Sequence, residues 1–294
     1  MVERGSPLSK IITFLIVSFS GAFLIDLFIF NFPVPTKLEL LLTYQIVRVA
    51  RMFTPFLGVI IALLVSRSPL LEGLRDYGVK IGRRFFLWLL VAISIPPLIT
   101  VFGVLYALLL GFPVESPTNL LQKLTGSVAP IDPVVLLALI VFSSMLSGAT
   151  LNAIFAFGEE IGWRGLMLDE LLHKVNWVVA GILIGLVWSF WHAPLIFLLG
   201  YNYPTDREIG FVIFTVLCIL WSHILIILKM RSGSIIHPSV MHGTLNAFPG
   251  IMFASVPVSR ILGIPVGLLS IAASATVLIF LLGMILIGER VSGK

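Results

Sequence analysis

Charge is scarce in this chain, and cysteine is almost missing. Charged residues fill 11% of the 294 positions, against roughly 25% in a soluble domain. With 59% of residues hydrophobic, too few polar side chains remain to cover a water-facing surface, so a soluble globular fold is excluded. The lone cysteine, Cys218, rules out an intrachain disulfide and a cysteine-based metal cluster. It sits within an apolar run and reads as a small core hydrophobe. Apolar segments of alternating pattern are lacking, which argues against a membrane β-barrel. Neither an internal repeat nor a low-complexity tract breaks the chain.

What is present is a series of continuous apolar runs, each about 20 residues long. They lie near 9–31, 43–66, 85–111, 133–157, 177–199, 209–230, 234–254 and 264–288. The first is longer than the apolar core of a signal peptide, so it is expected to be a retained span. The fold expected is therefore all-α: a polytopic membrane bundle of about eight transmembrane helices around an intramembrane catalytic cavity. Residues 1–294 are expected to form a single domain, with the chemistry inside 133–254. Pro96 and Pro97 predict a kink in the third span. The helix-compatible stretch after Pro133 outruns a bilayer, which predicts a break or bend near Gly148 or Gly158. Ser116 to Leu124 reads as a short amphipathic helix.

Eight spans put both termini on one side, and the basic residues choose which. That side carries Arg4, Lys10, Arg67, Arg75, Lys80, Arg83, Arg84, Arg164, Lys174, Lys229, Arg231, Arg290 and Lys294. The other keeps Lys37, Lys123, Arg207 and Arg260, while Arg48 and Arg51 lie within or beside the second span. The bias predicts a multi-pass protein of the cell membrane with both termini cytoplasmic. The net charge of +5 then reflects topology and attraction to anionic membrane lipids, with no nucleic acid needed.

Three apolar stretches carry polar groups that a lipid-facing helix excludes, since a charge at the centre of a span costs about 2.5–3.5 kcal/mol. In the first, Glu160 and Arg164 stand four apart on one helical face and can pair. Glu159, turned away from that face, is the carboxylate left for use as a general base. In the second, His192 precedes Pro194, whose missing N–H frees the carbonyl of Phe190. Loosened backbone at membrane depth suits a wet cavity. Trp188 and Trp191 flank this histidine and are expected to meet substrate. In the third, His242 and Asn246 share a face, each able to donate a hydrogen bond, a plausible oxyanion clamp. Pro249 follows and loosens that helix too. His223, His237 and the lone buried acid Asp26 read as structural or undecided.

Two histidines and a glutamate are also a ligand set that zinc accepts. However, no His-Glu-x-x-His occurs, and His237 and His242 stand five apart. A Gly-x-Ser-Gly serine-protease motif and a Gly-x-Gly-Asp aspartyl motif are missing too. A glutamate–histidine pair activating water without a metal is preferred, with the zinc-dependent version kept as an alternative. A transporter or proton relay is the other alternative, because intramembrane acids and histidines also line ion paths. No inverted repeat supports it.

At these residues the chain resembles the CAAX prenyl protease 2 family, of the Ras-converting-enzyme type, within the wider CPBP intramembrane proteases. Glu159, Glu160 and Arg164 match its Glu-Glu-x-x-x-Arg motif. His192 matches Phe-x-x-x-His, with Trp188 in place of the phenylalanine, and His242 with Asn246 matches His-x-x-x-Asn. The resemblance implies a glutamate-dependent endopeptidase in which Glu159 and His192 activate water. It also implies that His242 and Asn246 stabilise the oxyanion while Glu160 and Arg164 support the site. The substrate it implies is a prenylated protein or peptide with a Cys-a-a-X tail. The site is expected within the cytoplasmic half of the bilayer.

Overall fold

The computed structural model describes residues 6–32, 46–116, 119, 122–123, 126, 131–248 and 255–291. Among these the secondary structure is helical throughout, and six helices are long and apolar enough to cross a membrane. They are α1 (Pro7–Asn31), α5 (Phe85–Leu109), α6 (Val134–Leu172), α7 (Trp177–Leu199), α8 (Arg207–Ser232) and α10 (Leu268–Val291). A seventh crossing is made by the pair α2 (Ile46–Met52) and α3 (Thr54–Val65), bent by 44°. The seventh expected span, 234–254, becomes α9 (Ile236–Ala247), which at 12 residues is too short to cross a bilayer alone. The short α4 (Leu70–Tyr77) lies between α3 and α5. The multi-pass membrane bundle expected from the sequence is thus observed.

Local chemistry sets several of the helix starts. The side chain of Asp132 accepts from the N–H groups of Val134 and Val135 at the head of α6, and Asn176 does the same for α7. Large apolar residues such as Phe23, Leu24, Leu90, Leu109, Phe142, Ile154 and Phe280 stay exposed on the outer faces. Such a belt would drive aggregation in water and is what lipid requires.

One local expectation is corrected. Helix α6 runs unbroken for 39 residues past both Gly148 and Gly158. Instead of breaking, it widens into π-helical turns at Gly148–Asn152 and Ile161–Met167. Each wide turn absorbs its backbone mismatch inside the ladder. Helix α5 likewise continues through Pro96 and Pro97, and the Thr100 hydroxyl donates to the Pro96 carbonyl at 2.9 Å. The helix expected after Ser116 falls largely outside the described residues, as does Pro249.

The bundle packs α7 along α8 and α1 along α3, with α9 inserted against α6 and α5. That insertion brings the three motifs together.

Candidate active site

Glu159 and Glu160 end the α-helical stretch Ala153–Glu160 between the two wide turns of α6. π-helical turns are rare and recur at functional sites. Helix α9 approaches this stretch closely because of two glycines. A Cβ on Gly243 would lie 2.5 Å from Ala153 N and Gly148 O, and one on Gly148 would lie 2.4 Å from Thr244 Cα. Only backbone without side chains fits there, so α9 can lay His242 directly against Glu160.

The two glutamates have separate environments, as the spacing suggested. Glu160 Oε1 accepts from Arg164 Nη1 and from His242 Nδ1, both at 2.8 Å. Arg164 also donates to the Ser222 hydroxyl at 2.8 Å and places its guanidinium 4.5 Å from the Trp188 ring centroid. Glu160 and Arg164 are fully buried, a geometry in which each charge depends on the other. Among the described residues Glu159 has no cation in hydrogen-bond contact; its Oε2 accepts from the indole Nε1 of Trp188 at 2.9 Å.

Both histidines are tied down through Nδ1. His192 Nδ1–H donates to the Trp188 carbonyl at 3.0 Å, since a carbonyl can only accept. In the neutral form of the ring this leaves Nε2 as the acceptor. His242 donates Nδ1–H to Glu160, which leaves its Nε2 free in the same way. The Trp188 ring meets both imidazoles edge-on, at 5.7 and 5.3 Å between centroids.

These side chains face a cavity of about 360 Å³ whose wall includes Glu159, His192, His242, Asn246, Asn152 and Tyr201. A smaller space of about 50 Å³ adjoins it, lined by Trp188 and again by His192, His242 and Asn246. Four expected catalytic residues from three helices therefore share one hollow. Glu160 and Arg164 stand behind it as support. Among the described residues, no group of three or more His, Cys, Asp or Glu side chains is arranged to hold a metal ion.

Trp191 is a correction. It is 1% exposed and lines neither space. Its Nε1 donates to the Ser18 carbonyl at 3.2 Å, and its ring lies under Arg51 at 3.8 Å. Trp188 reaches the site, while Trp191 is taken up by Ser18 of α1 and by Arg51. His223 and His237 bond backbone carbonyls, in keeping with structural roles.

Sequence reasoning missed Arg51 and Arg48 as cavity residues. Both line the larger space. Arg51 Nε donates to Asp26 Oδ1 at 2.7 Å, and Nη2 to the Trp191 carbonyl at 2.6 Å. A lone acid in one span and two arginines three apart in the next were the available signal.

The hollow lies toward one end of the bundle. Ile29, near the end of α1, and Tyr201, just past α7, belong to its wall. The opposite end holds the start of α1, where Lys10 pairs with Glu170 at 2.6 Å. The cavity is thus remote from the N-terminal end of α1.

Comparison with known proteins agrees with the motifs. Residues 141–248, which contain all three, match the family model of type II CAAX prenyl endopeptidases, Rce1-like. CAAX prenyl protease 2 of Methanococcus maripaludis is 29% identical over 156 residues, which cover 52% of this chain and 51% of that protein. The chain spans about half the length of the curated relative it matches. The family-model match includes Glu159, His192, His242 and Asn246 of the cavity wall.

Proposed function

We propose that this chain is a metal-free intramembrane endopeptidase, one membrane domain with cytoplasmic termini, acting on the Cys-a-a-X tail of a prenylated protein or peptide. The observation that carries the reading is the convergence of Glu159, His192, His242 and Asn246 on one hollow among apolar helices. The resemblance of residues 141–248 to CAAX prenyl endopeptidases supports the substrate class.

The reaction is hydrolysis. Water, its proton taken by Glu159 with His192 Nε2 as second acceptor, attacks the scissile carbonyl carbon. The carbonyl oxygen becomes an oxyanion that His242 and the Asn246 amide stabilise. Glu160, bonded to His242 Nδ1, holds that ring in place. The C–N bond then breaks, and the proton returns to the leaving amine. The lipid can stay in the bilayer while the tail enters the hollow.

The test is cleavage of a quenched farnesylated Cys-a-a-X peptide by purified protein in detergent, before and after chelation. Wild type is expected to release the tripeptide with and without chelator. Glu159→Gln should lose about 10²–10⁴-fold in rate, the usual worth of a general base. Undiminished cleavage by Glu159→Gln rejects the assigned role, and loss on chelation restored by zinc rejects the metal-free chemistry.

A further inference from the structure

Arg51 is 4% exposed, so its charge is held in the protein at a cost that asks for a reason. Asp26 takes Nε, the Trp191 carbonyl takes Nη2 and the Trp191 ring supports the guanidinium from below. Its remaining nitrogen, Nη1, has no hydrogen-bond partner among the described residues, and the side chain lines the hollow. Arg48, one turn earlier on α2, lines the same wall and is exposed. It has no acidic partner among the described residues. One guanidinium is thus held by partners, and a second, exposed one lines the same cavity. Both face a space whose only carboxylate among the described lining residues is Glu159.

We infer that Arg48 and Arg51 form an anion subsite that holds the free C-terminal carboxylate of the peptide substrate. The inference rests on the endopeptidase reading for the identity of the ligand. A planar guanidinium fork suits a carboxylate better than a point charge does. Because Arg51 is already ordered, little further freedom is lost when the anion docks. The distances also suit it: three extended residues reach about 10 Å, so a tail cut three residues from its end places its carboxylate within reach of the same hollow. Such a subsite measures the cut from the chain end and turns away internal segments, which carry no terminal charge.

The experiment measures equilibrium binding of a farnesylated Cys-a-a-X peptide whose scissile amide is replaced by a methyleneamine. It is prepared as the free acid and as the C-terminal amide. Wild type in neutral detergent is expected to bind the acid about tenfold more tightly than the amide. Arg48→Gln, an exposed change that leaves the Asp26–Arg51 pair intact, should remove most of that preference and leave amide binding unchanged. Arg51→Lys, which keeps a cation beside Asp26 but loses the fork, should weaken it too. Equal binding of acid and amide by wild type overturns the subsite, as does a full preference retained in both variants. Cleavage of the parent peptide by the same preparations decides the endopeptidase reading separately. Cleavage without acid preference sinks only the subsite, and acid preference without cleavage sinks only the protease.

Discussion

The indole of Trp188 donates a 2.9 Å hydrogen bond to Glu159 Oε2, at the position where the resembled motif has phenylalanine. A phenyl ring fills much of the same volume but has no N–H to give. A hydrogen bond to a charged group contributes about 1.5–3 kcal/mol. Trp188→Phe should therefore keep the fold, because the edge contacts with His192 and His242 need only an aromatic ring. Its kcat on the quenched peptide is expected to fall about tenfold. A variant as fast as wild type would mean that the indole does not orient Glu159.

The second glutamate answers to a different assay. Glu160 lies between Arg164 and His242, and both it and Arg164 are fully buried. Removing one partner of such a pair strands the other charge, at about 3–5 kcal/mol. Glu160→Ala should lower Tm in detergent clearly, while Glu159→Gln should leave Tm near that of wild type. The double change Glu160→Gln with Arg164→Met should regain much of the stability without regaining activity. A double variant no more stable than Glu160→Ala would show that the stranded arginine is not the cause.

How much of this was legible depended on whether the information lay inside one helix. The pair Glu160 and Arg164 shows in the spacing because residues four apart share a helical face. The separate fate of Glu159 follows from the same geometry. The link from Glu160 to His242 joins residues 82 apart, and no local pattern encodes it. Arg51 with Asp26 is similar, since each residue alone looks like a stray charge in a span. Trp191 misled because adjacency in sequence was taken for adjacency in the pocket. The unbroken α6 was hidden because π-helical turns leave no strong composition signal, and helix α9 proved shorter than its apolar run suggested.

The approach of α9 to α6 can be tested at Gly243. A methyl group there would meet Ala153 N and Gly148 O at 2.5 Å, backbone atoms that cannot swing aside. Overpacking of this kind costs typically about 1–3 kcal/mol, and relief by moving α9 would pull His242 from Glu160. Gly243→Ala is expected to lower both Tm and cleavage rate. Gly283→Ala, where nothing lies within 4 Å, is the control and should change neither. Equal behaviour of the two variants would mean that the close contact does not position the site.

The charge bias and the place of the hollow together give an expectation for the side a substrate comes from. Lys10, Arg67, Arg75, Lys80, Arg83, Arg84 and Lys174 lie at the end of the bundle where α1 begins. With that end cytoplasmic, as proposed from the charge bias, the wall bearing Tyr201 and Asn202 is expected to open on the outer face. The native Cys218 is buried, which leaves the wild-type chain a quiet background for thiol labelling. In intact cells, a membrane-impermeant maleimide should label Asn202→Cys at once and Ser6→Cys only after the membrane is opened. The reverse pattern would put the hollow on the cytoplasmic side and the termini outside, against the charge bias. Labelling of both in intact cells would contradict an orientation in which residue 6 and the cavity mouth lie on opposite faces.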